Sequence, residues 1–587
     1  MLHQIIHHAY DLLTHHFLSF WFFSLVLVIF AGWLLSAARG PVSPAAFGQA
    51  SWEANAKLPS QFGLADGPSG FLFVLFAIAY IYLIFCKEDF SYYDDDLLTE
   101  FSLQGKSFSP PIWAAVGRFY PLADQEFNPL RFVTRSPFGY HALVVVQLII
   151  FLVVIFLILQ KFPFRYQCLI AAAAMVTPSF LIPFMGFVYP ERNVLFGLAI
   201  LILCLQRYSR NHSRFYFVGA LVATHFILYY KETVVLFVVT FAGTWLSLQL
   251  YQSLSAGQCS WRELARGNVL PLGLLGVAGI YAVLFLATML PQRHFSYVSG
   301  LREPLSSVLI AYLQFDWLPF LLLAVVLFRI GRFLFARLPI DPLWDPLAMG
   351  AIVYFLGILA LRINSGYYMA PVDFLALFYL ANLARIWLQK PTQARVFAIA
   401  TVVICILAQG AAYSSFRVVE RKRIIATKSR LADFLNGYLP SVDGDSVELF
   451  FPYSSGYHLM DLASYLNYKG FRLEGRGVSS SALGPKLVLK GRETFDDNKC
   501  VGYRDYSCFH AENASPGALI VILPDDTVSM KEVRDLAQGS TQLLFVDCSV
   551  CSAHDQWFNL LHTISAEYSL TPLPGHWLQL HVFQEPM

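Results

Sequence analysis

Apolar runs close to bilayer length recur along most of this chain. FLSFWFFSLVLVIFAGWLLSA is followed by FLFVLFAIAYIYLIF and then by HALVVVQLIIFLVVIFLIL. In lipid no water satisfies backbone N–H and C=O groups, so runs of this length must fold as spanning helices. A soluble globular fold is thereby excluded for this part of the chain. Composition agrees: 57% of the 587 residues are hydrophobic, 14% are charged and the mean hydropathy is +0.54, where a soluble domain is about a quarter charged. The run beginning at residue 17 is long enough to span and reads as a retained helix rather than a cleaved signal. The net charge of +2 says nothing about nucleic acid, but no basic tract is present and no nucleic-acid partner is expected.

Spans are predicted at about 17–37, 70–86, 140–160, 167–187, 193–206, 215–230, 233–250, 268–290, 317–335, 345–361, 372–388 and 396–413, roughly twelve in all. Short loops rich in Lys and Arg mark the cytoplasmic side. QRYSRNHSR, FRIGRFLFARLP, QKPTQAR and the loop with Arg262 and Arg266 fall on one common face. Segment 87–139, the corners YPERN, YYKE and RINSGYYMAP, and loop 291–316 then fall on the other, outer face. The expected organisation is a transmembrane part over 1–415, with 87–139 as its first large outer loop, and a soluble domain over 416–587. In the latter, VELFFPY, ALIVILPDD and QLLFVDC read as buried strands, and TKSRLADFLNGYL, SGYHLMDLASYLNYKG and SMKEVRDLAQG as amphipathic helices. That alternation predicts a small α/β fold.

Cys86, Cys168, Cys204, Cys259 and Cys405 lie in or beside apolar segments and read as core residues. Cys500, Cys508, Cys548 and Cys551 could form two local disulfides in an oxidising compartment. His3 and His7, spaced i, i+4, belong to an interfacial amphipathic segment rather than a metal site. Asn513-Ala514-Ser515 is a short glycosylation pattern of low specificity.

The polar residues that could carry chemistry gather on the outer side. Asp94-Asp95-Asp96 follow Glu88 and Asp89 just past the second span. One aspartate could cap the helical pattern LLTEF, but several adjacent carboxylates repel and raise one another's pKa. One facing a cavity could serve as a general base, with a neighbour holding a divalent cation. Glu191 and Arg192 sit at a short corner at membrane depth, where charge is costly and usually functional. A local ion pair explains them equally well. Lys231 and Glu232 divide two apolar runs, and Lys231 could meet a phosphate or snorkel to the headgroups. Arg362, followed by Tyr367, Tyr368 and Pro371, leaves a span on the outer side and suits phosphate through its planar fork. Arg293 is a weaker candidate for that role. Arg118, Tyr120, Asp124, Glu126 and Asn128 stand among aromatics, as in sugar-binding clefts or membrane-surface helices.

An acidic pair past an early membrane helix, then a short amphipathic helix, a glycine and a proline, resembles the first external loop of the GT-C-fold membrane glycosyltransferases. The likeness extends in general plan over the membrane portion. In this chain the acidic loop follows the second span rather than the first, which implies an extra N-terminal helix. The resemblance implies a polyprenyl-phosphate sugar donor and a glycan, lipid or exported-protein acceptor. It also implies a bacterial inner-membrane location, with site and C-terminal domain periplasmic. By the same likeness Asp95 or Asp94 would be the base, with Asp96 and Glu191 as metal or acceptor ligands alongside Arg192 and Glu232. Arg362 with Tyr367 and Tyr368, and Lys231 or Arg293, would hold the donor phosphate. No cofactor is implied beyond an optional Mg or Mn ion. A lipid-linked-glycan flippase, an O-antigen-type polymerase or ligase, and a non-catalytic assembly protein are the rival readings.

Overall fold

A computed structural model describes residues 16–37, 67–85, 89–90, 98–102, 107–113, 117–255, 265, 267–289, 304–336, 340–363, 365–388, 392–442, 446–452, 456–473, 486–491, 513–523, 541–547 and 579–584. They are mainly helical. In chain order the principal helices are α1 (Phe17–Ala37), α2 (Gly67–Phe85), α3 (Pro137–Ile158), α4 (Phe164–Val176), α5 (Pro178–Met185), α6 (Pro190–Asn211) and α7 (Arg214–Tyr230). They continue with α8 (Val234–Ser255), α9 (Val269–Met289), α10 (Leu305–Phe315), α11 (Leu318–Ala336), α12 (Trp344–Leu361), α13 (Ala370–Trp387), α14 (Gln393–Tyr438) and α15 (Gly456–Tyr468).

Among the described residues nine helices are long and apolar enough to cross a membrane, or ten if one bent pair is counted as a span. Their outer surfaces fit lipid: Phe22, Phe30 and Phe71 are 61%, 61% and 64% exposed, an arrangement water would penalise. The chain is a multi-pass membrane protein.

The single span expected over 167–187 is instead two helices, α4 and α5, bent by 72°. Thr177 precedes Pro178, which disfavours a helical conformation at Thr177, and its ψ is 141°. Neighbours take up carbonyls at the break. Thr177 Oγ1 donates to Ala174 O at 2.8 Å, and Ser414 Oγ of α14 to Val176 O at 3.0 Å. One turn before Ser414, Gly410 permits the close approach: a Cβ there would lie 2.3 Å from Val176 O. Small residues four apart let two helix backbones meet in lipid.

The helix ends sort onto two faces. On one, Arg207 donates to Gln160, Arg385 lies over Phe162, and Arg329 forks onto Asp345 at 3.0 and 2.7 Å. Arg207, Arg329 and Arg385 thus share a face, and Glu191, Lys231 and Tyr368 stand at the opposite helix ends.

Helix α14 is 46 residues long, about 70 Å at 1.5 Å per residue. It leaves the membrane portion without a break, and Leu431, Leu435 and Leu439 pack into a second core with α15 and a five-stranded sheet. The strands are β3 (Ser446–Phe451), β4 (Lys486–Gly491), β5 (Leu519–Ile522), β6 (Thr541–Asp547) and β7 (Gln579–Gln584). Their spatial order is β4-β3-β5-β7-β6, with β3 parallel to β4 and β5 and with β7 antiparallel to both β5 and β6. Cys405 is exposed on α14 rather than in the core, while Cys168 and Cys204 are buried. Cys86, Cys259, the four C-terminal cysteines, His3 and His7 lie outside the described residues.

Candidate functional site

A layer of buried charge covers the helix ends on the face opposite the arginine loops. A short hairpin, β1 (Ile112–Trp113) and β2 (Arg118–Phe119), pairs Trp113 with Arg118. The loop after it is pinned by Leu122 N–H donating to Tyr229 O at 3.1 Å. Asp124 then takes a left-handed φ of 64°, which aspartate tolerates better than most residues. Arg118, Tyr120, Asp124 and Glu126 are thereby set over the ends of α6, α7 and α8.

Three cations meet three carboxylates there. Lys231, at the break between α7 and α8, lies 2.7 Å from Glu191 Oε1, with the two side chains 3% and 0% exposed. Arg118 Nε lies 2.7 Å from Glu232 Oε1. Arg192 contacts Glu126 Oε1 at 3.3 Å, and Asn193 donates to the same oxygen at 2.7 Å. The expected local Glu191–Arg192 pair is replaced by these longer-range pairs, because adjacent residues at a helix start point apart. Arg192 also donates to Gly186 O at 3.0 Å and Pro183 O at 3.4 Å, placing its charge on carbonyls at the negative end of α5. Gly186 is required at that turn: a Cβ would lie 2.1 Å from the Tyr189 ring.

Lys231 does not snorkel to the headgroups. It is 2% exposed, with its ammonium 4.0 Å from the Tyr368 ring centroid and 6.0 Å from that of Tyr120. Burial pushes this ammonium toward neutrality, but Glu191 more than offsets that, so its pKa stands above the ordinary lysine value. Burial likewise raises the Tyr120 phenol. Glu191 Oε2 is buried with no hydrogen-bond partner among the described residues. Beneath the charges lies an aromatic floor in which Phe119 meets Phe17, Tyr229 and Tyr281.

Two of the predicted corners meet. Tyr189 packs edge-on against Tyr367 at 5.0 Å, and Tyr367 stacks on Tyr368 at 4.7 Å. Arg362 caps α12 with a left-handed φ of 55°. Its side chain is exposed and makes no ion pair among the described residues. Asp94, Asp95, Asp96 and Arg293 lie outside the described residues, but both flanks of the aspartates are placed. Upstream, Phe90 packs on Tyr140 at 5.3 Å and Phe187 at 5.6 Å. Downstream, Ser102 Oγ hydrogen-bonds Tyr140 OH. Phe187 belongs to the same corner as Tyr189 and Glu191. Asp89 is gripped from the α/β part by Tyr465 OH at 3.0 Å and Lys469 at 2.8 Å.

Among the described residues no three of His, Cys, Asp and Glu gather as metal ligands would. Sequence reading passed over Asn193, Thr233 (bonded to Tyr354 OH at 3.2 Å) and the buried carboxyls Asp316 and Asp373. Polar residues interrupting apolar runs were the available signal for all four.

No protein-family model and no curated protein matches the chain. Among solved structures it is similar to the crystal structure of ArnT from Cupriavidus metallidurans bound to undecaprenyl phosphate. The match has 12% identity and a TM-score of 0.42, covering 87% of this chain and 97% of that one. This likeness is too loose to bear on individual residues.

Proposed function

We propose that the chain is a GT-C-type membrane glycosyltransferase that transfers a sugar from a polyprenyl-phosphate donor. The acceptor is a hydroxyl of an envelope glycan, lipid A or an exported protein such as a pilin, at the periplasmic face of a bacterial inner membrane. One observation carries this reading: a layer of paired charge and tyrosine, with Lys231, Glu191 and Tyr368 at its centre, buried at the ends of lipid-facing helices. Such a layer can accept a polar sugar while the lipid tail of its carrier stays among apolar helices.

In this reading Asp95 or Asp94 takes the proton from the acceptor hydroxyl. The oxygen attacks the anomeric carbon, the bond from that carbon to the phosphate oxygen breaks, and the electron pair leaves with the phosphate. Direct displacement inverts the anomeric centre. Arg362 is exposed and carries no carboxylate partner among the described residues, so it is the cation best able to meet the departing phosphate. Lys231 is committed to Glu191. Its part is to hold the corner and lend positive potential rather than to leave its partner. Asp96 and Glu191 are the carboxylates that would hold a divalent ion.

The test is binding of undecaprenyl phosphate to the full chain in nanodiscs. Arg362→Ala should weaken it about tenfold or more, as loss of a charge-assisted pair worth roughly 1.5–3 kcal/mol requires, with Arg362→Lys in between. Equal affinity in all three proteins would remove Arg362 from the donor site.

A further inference from the structure

The turn that leads into α3 carries two large apolar side chains left uncovered by the described residues. Phe132 and Val133 are 79% and 82% exposed, more than Phe138, Val146 and Val153, which lie on the lipid-facing stripe of α3. Just past its end α3 meets the arginine face, where Gln160 accepts from Arg207, so its start and this turn lie on the charge-layer side. The turn is level with the membrane boundary. Phe85, the last residue of α2, packs on Phe138 at 5.2 Å, so one span ends and another begins here. Thr134 folds back on the first turn of α3: a Cβ on Gly139 would lie 2.3 Å from Thr134 Cγ2.

Hydrogen bonds fix the turn. Arg131 N–H donates to Phe127 O at 3.1 Å, Val133 N–H to Leu130 O at 2.9 Å and Ser136 N–H to Thr134 Oγ1 at 3.1 Å. The two apolar side chains are therefore presented by a set backbone. The outward charge of the turn is positive. Arg135 is exposed and makes no ion pair among the described residues, and Arg131 lies over the Phe132 ring at 4.7 Å. The acids just upstream turn inward: Asp124 is buried, and Glu126 is bonded to Arg192 and Asn193. Apolar side chains at the depth where acyl chains meet headgroups, flanked by arginines, suit a negatively charged leaflet surface. Two side chains fall far short of the roughly 800 Å² per partner that a stable protein interface buries. That argues against a second copy or a soluble protein as the occupant.

We propose that residues 131–136 form a contact site for anionic phospholipid headgroups of the leaflet on the charge-layer side. Phe132 and Val133 enter the boundary between acyl chains and headgroups, and Arg135, beside Arg131, pairs with headgroup phosphate. The turn follows directly on the segment that carries Glu126, so the contact also holds that part of the charge layer at a set depth. The inference does not depend on the sugar-transfer reading and can fail separately from it.

The experiment replaces Phe132 by the photo-crosslinking residue p-benzoylphenylalanine in the full chain, held in nanodiscs of equal phosphatidylglycerol and phosphatidylcholine. Val153, in the middle of the lipid-facing stripe, is replaced likewise in a second protein to report on bulk lipid. One basic residue near an anionic surface changes binding about fivefold. Adducts at position 132 should therefore favour phosphatidylglycerol by about fivefold or more. Arg135→Gln should reduce that preference about fivefold, and adducts at position 153 should show none. Positions 132 and 135 are both exposed, so neither change disturbs the core. Lipid adducts at position 153 but not at position 132 would overturn the proposal. So would equal adducts with the two lipids at position 132, or a preference that survives Arg135→Gln. Adducts joining two copies of the chain, or joining it to another protein on illumination in cells, in place of lipid adducts would overturn it as well.

Discussion

Replacing Lys231 by Met removes one half of the most deeply buried ion pair in the charge layer. At 2.7 Å and an effective dielectric constant of about 20, the attraction is roughly 6 kcal/mol. Dehydrating the two ions costs several kcal/mol each, so the intact pair contributes little net stability. The single substitution behaves differently. It deletes the attraction but leaves Glu191 at 0% exposure with its charge uncompensated, a loss of about 3–5 kcal/mol. Removing the other charge as well, in Lys231→Met with Glu191→Gln, should recover about 2 kcal/mol or more of that loss, a coupling of the size contacting residues show. Unfolding titrations with SDS in mixed micelles measure all four corners of the cycle. A Lys231→Met loss below about 1 kcal/mol, or a double variant no better than the sum of its parts, would refute the view that Glu191 and Lys231 exist to neutralise each other.

Gly410→Ala should cost about 1–3 kcal/mol in the same titration, because the new Cβ meets a backbone oxygen at 2.3 Å that cannot turn aside. Ser414→Ala, which only exposes Val176 O, should cost about 1 kcal/mol; equal losses would argue against the close α4–α14 contact. Asp89→Ala removes the acceptor shared by Tyr465 and Lys469. Limited proteolysis should then cut between the membrane helices and the sheet several times faster than in the wild type, and an unchanged rate would show that Asp89 does not hold the two together.

Much of the membrane portion is legible in the sequence because a span is a local property: twenty apolar residues and their flanks suffice. The run from residue 17 to residue 37 is a helix over those same residues. The break at Thr177–Pro178 was visible as a proline inside an apolar run. Its severity depends on Ser414 and Gly410, more than two hundred residues away, which make a broken helix tolerable in lipid. The strand readings at VELFF and LIVI correspond to β3 and β5. QLHVFQ, which forms β7, carries the alternation of a half-buried strand but went unread. Helix α14 runs through SSFRVVERKRIIA because that stretch has no Gly or Pro to stop it, so the change from lipid to water falls inside one helix.

The candidate site divides in the same way. The charged corners stand out in sequence because lysine and glutamate are conspicuous between apolar runs. Their pairing does not, since Glu191 finds Lys231 and Arg192 finds Glu126 through tertiary packing alone. Asp316 and Asp373 are each explicable locally as helix-start residues, and only the fold shows that both are buried.

The most direct test of the functional account is transfer of labelled sugar from polyprenyl phosphate to an envelope acceptor by the purified chain in lipid. Asp94→Asn, Asp95→Asn and Asp96→Asn would be measured beside the wild type. Loss of a positioned general base should lower turnover by about 10²–10⁴-fold in the Asp95 or Asp94 variant, with undecaprenyl phosphate binding and unfolding unchanged. Full turnover in all three variants would contradict the account.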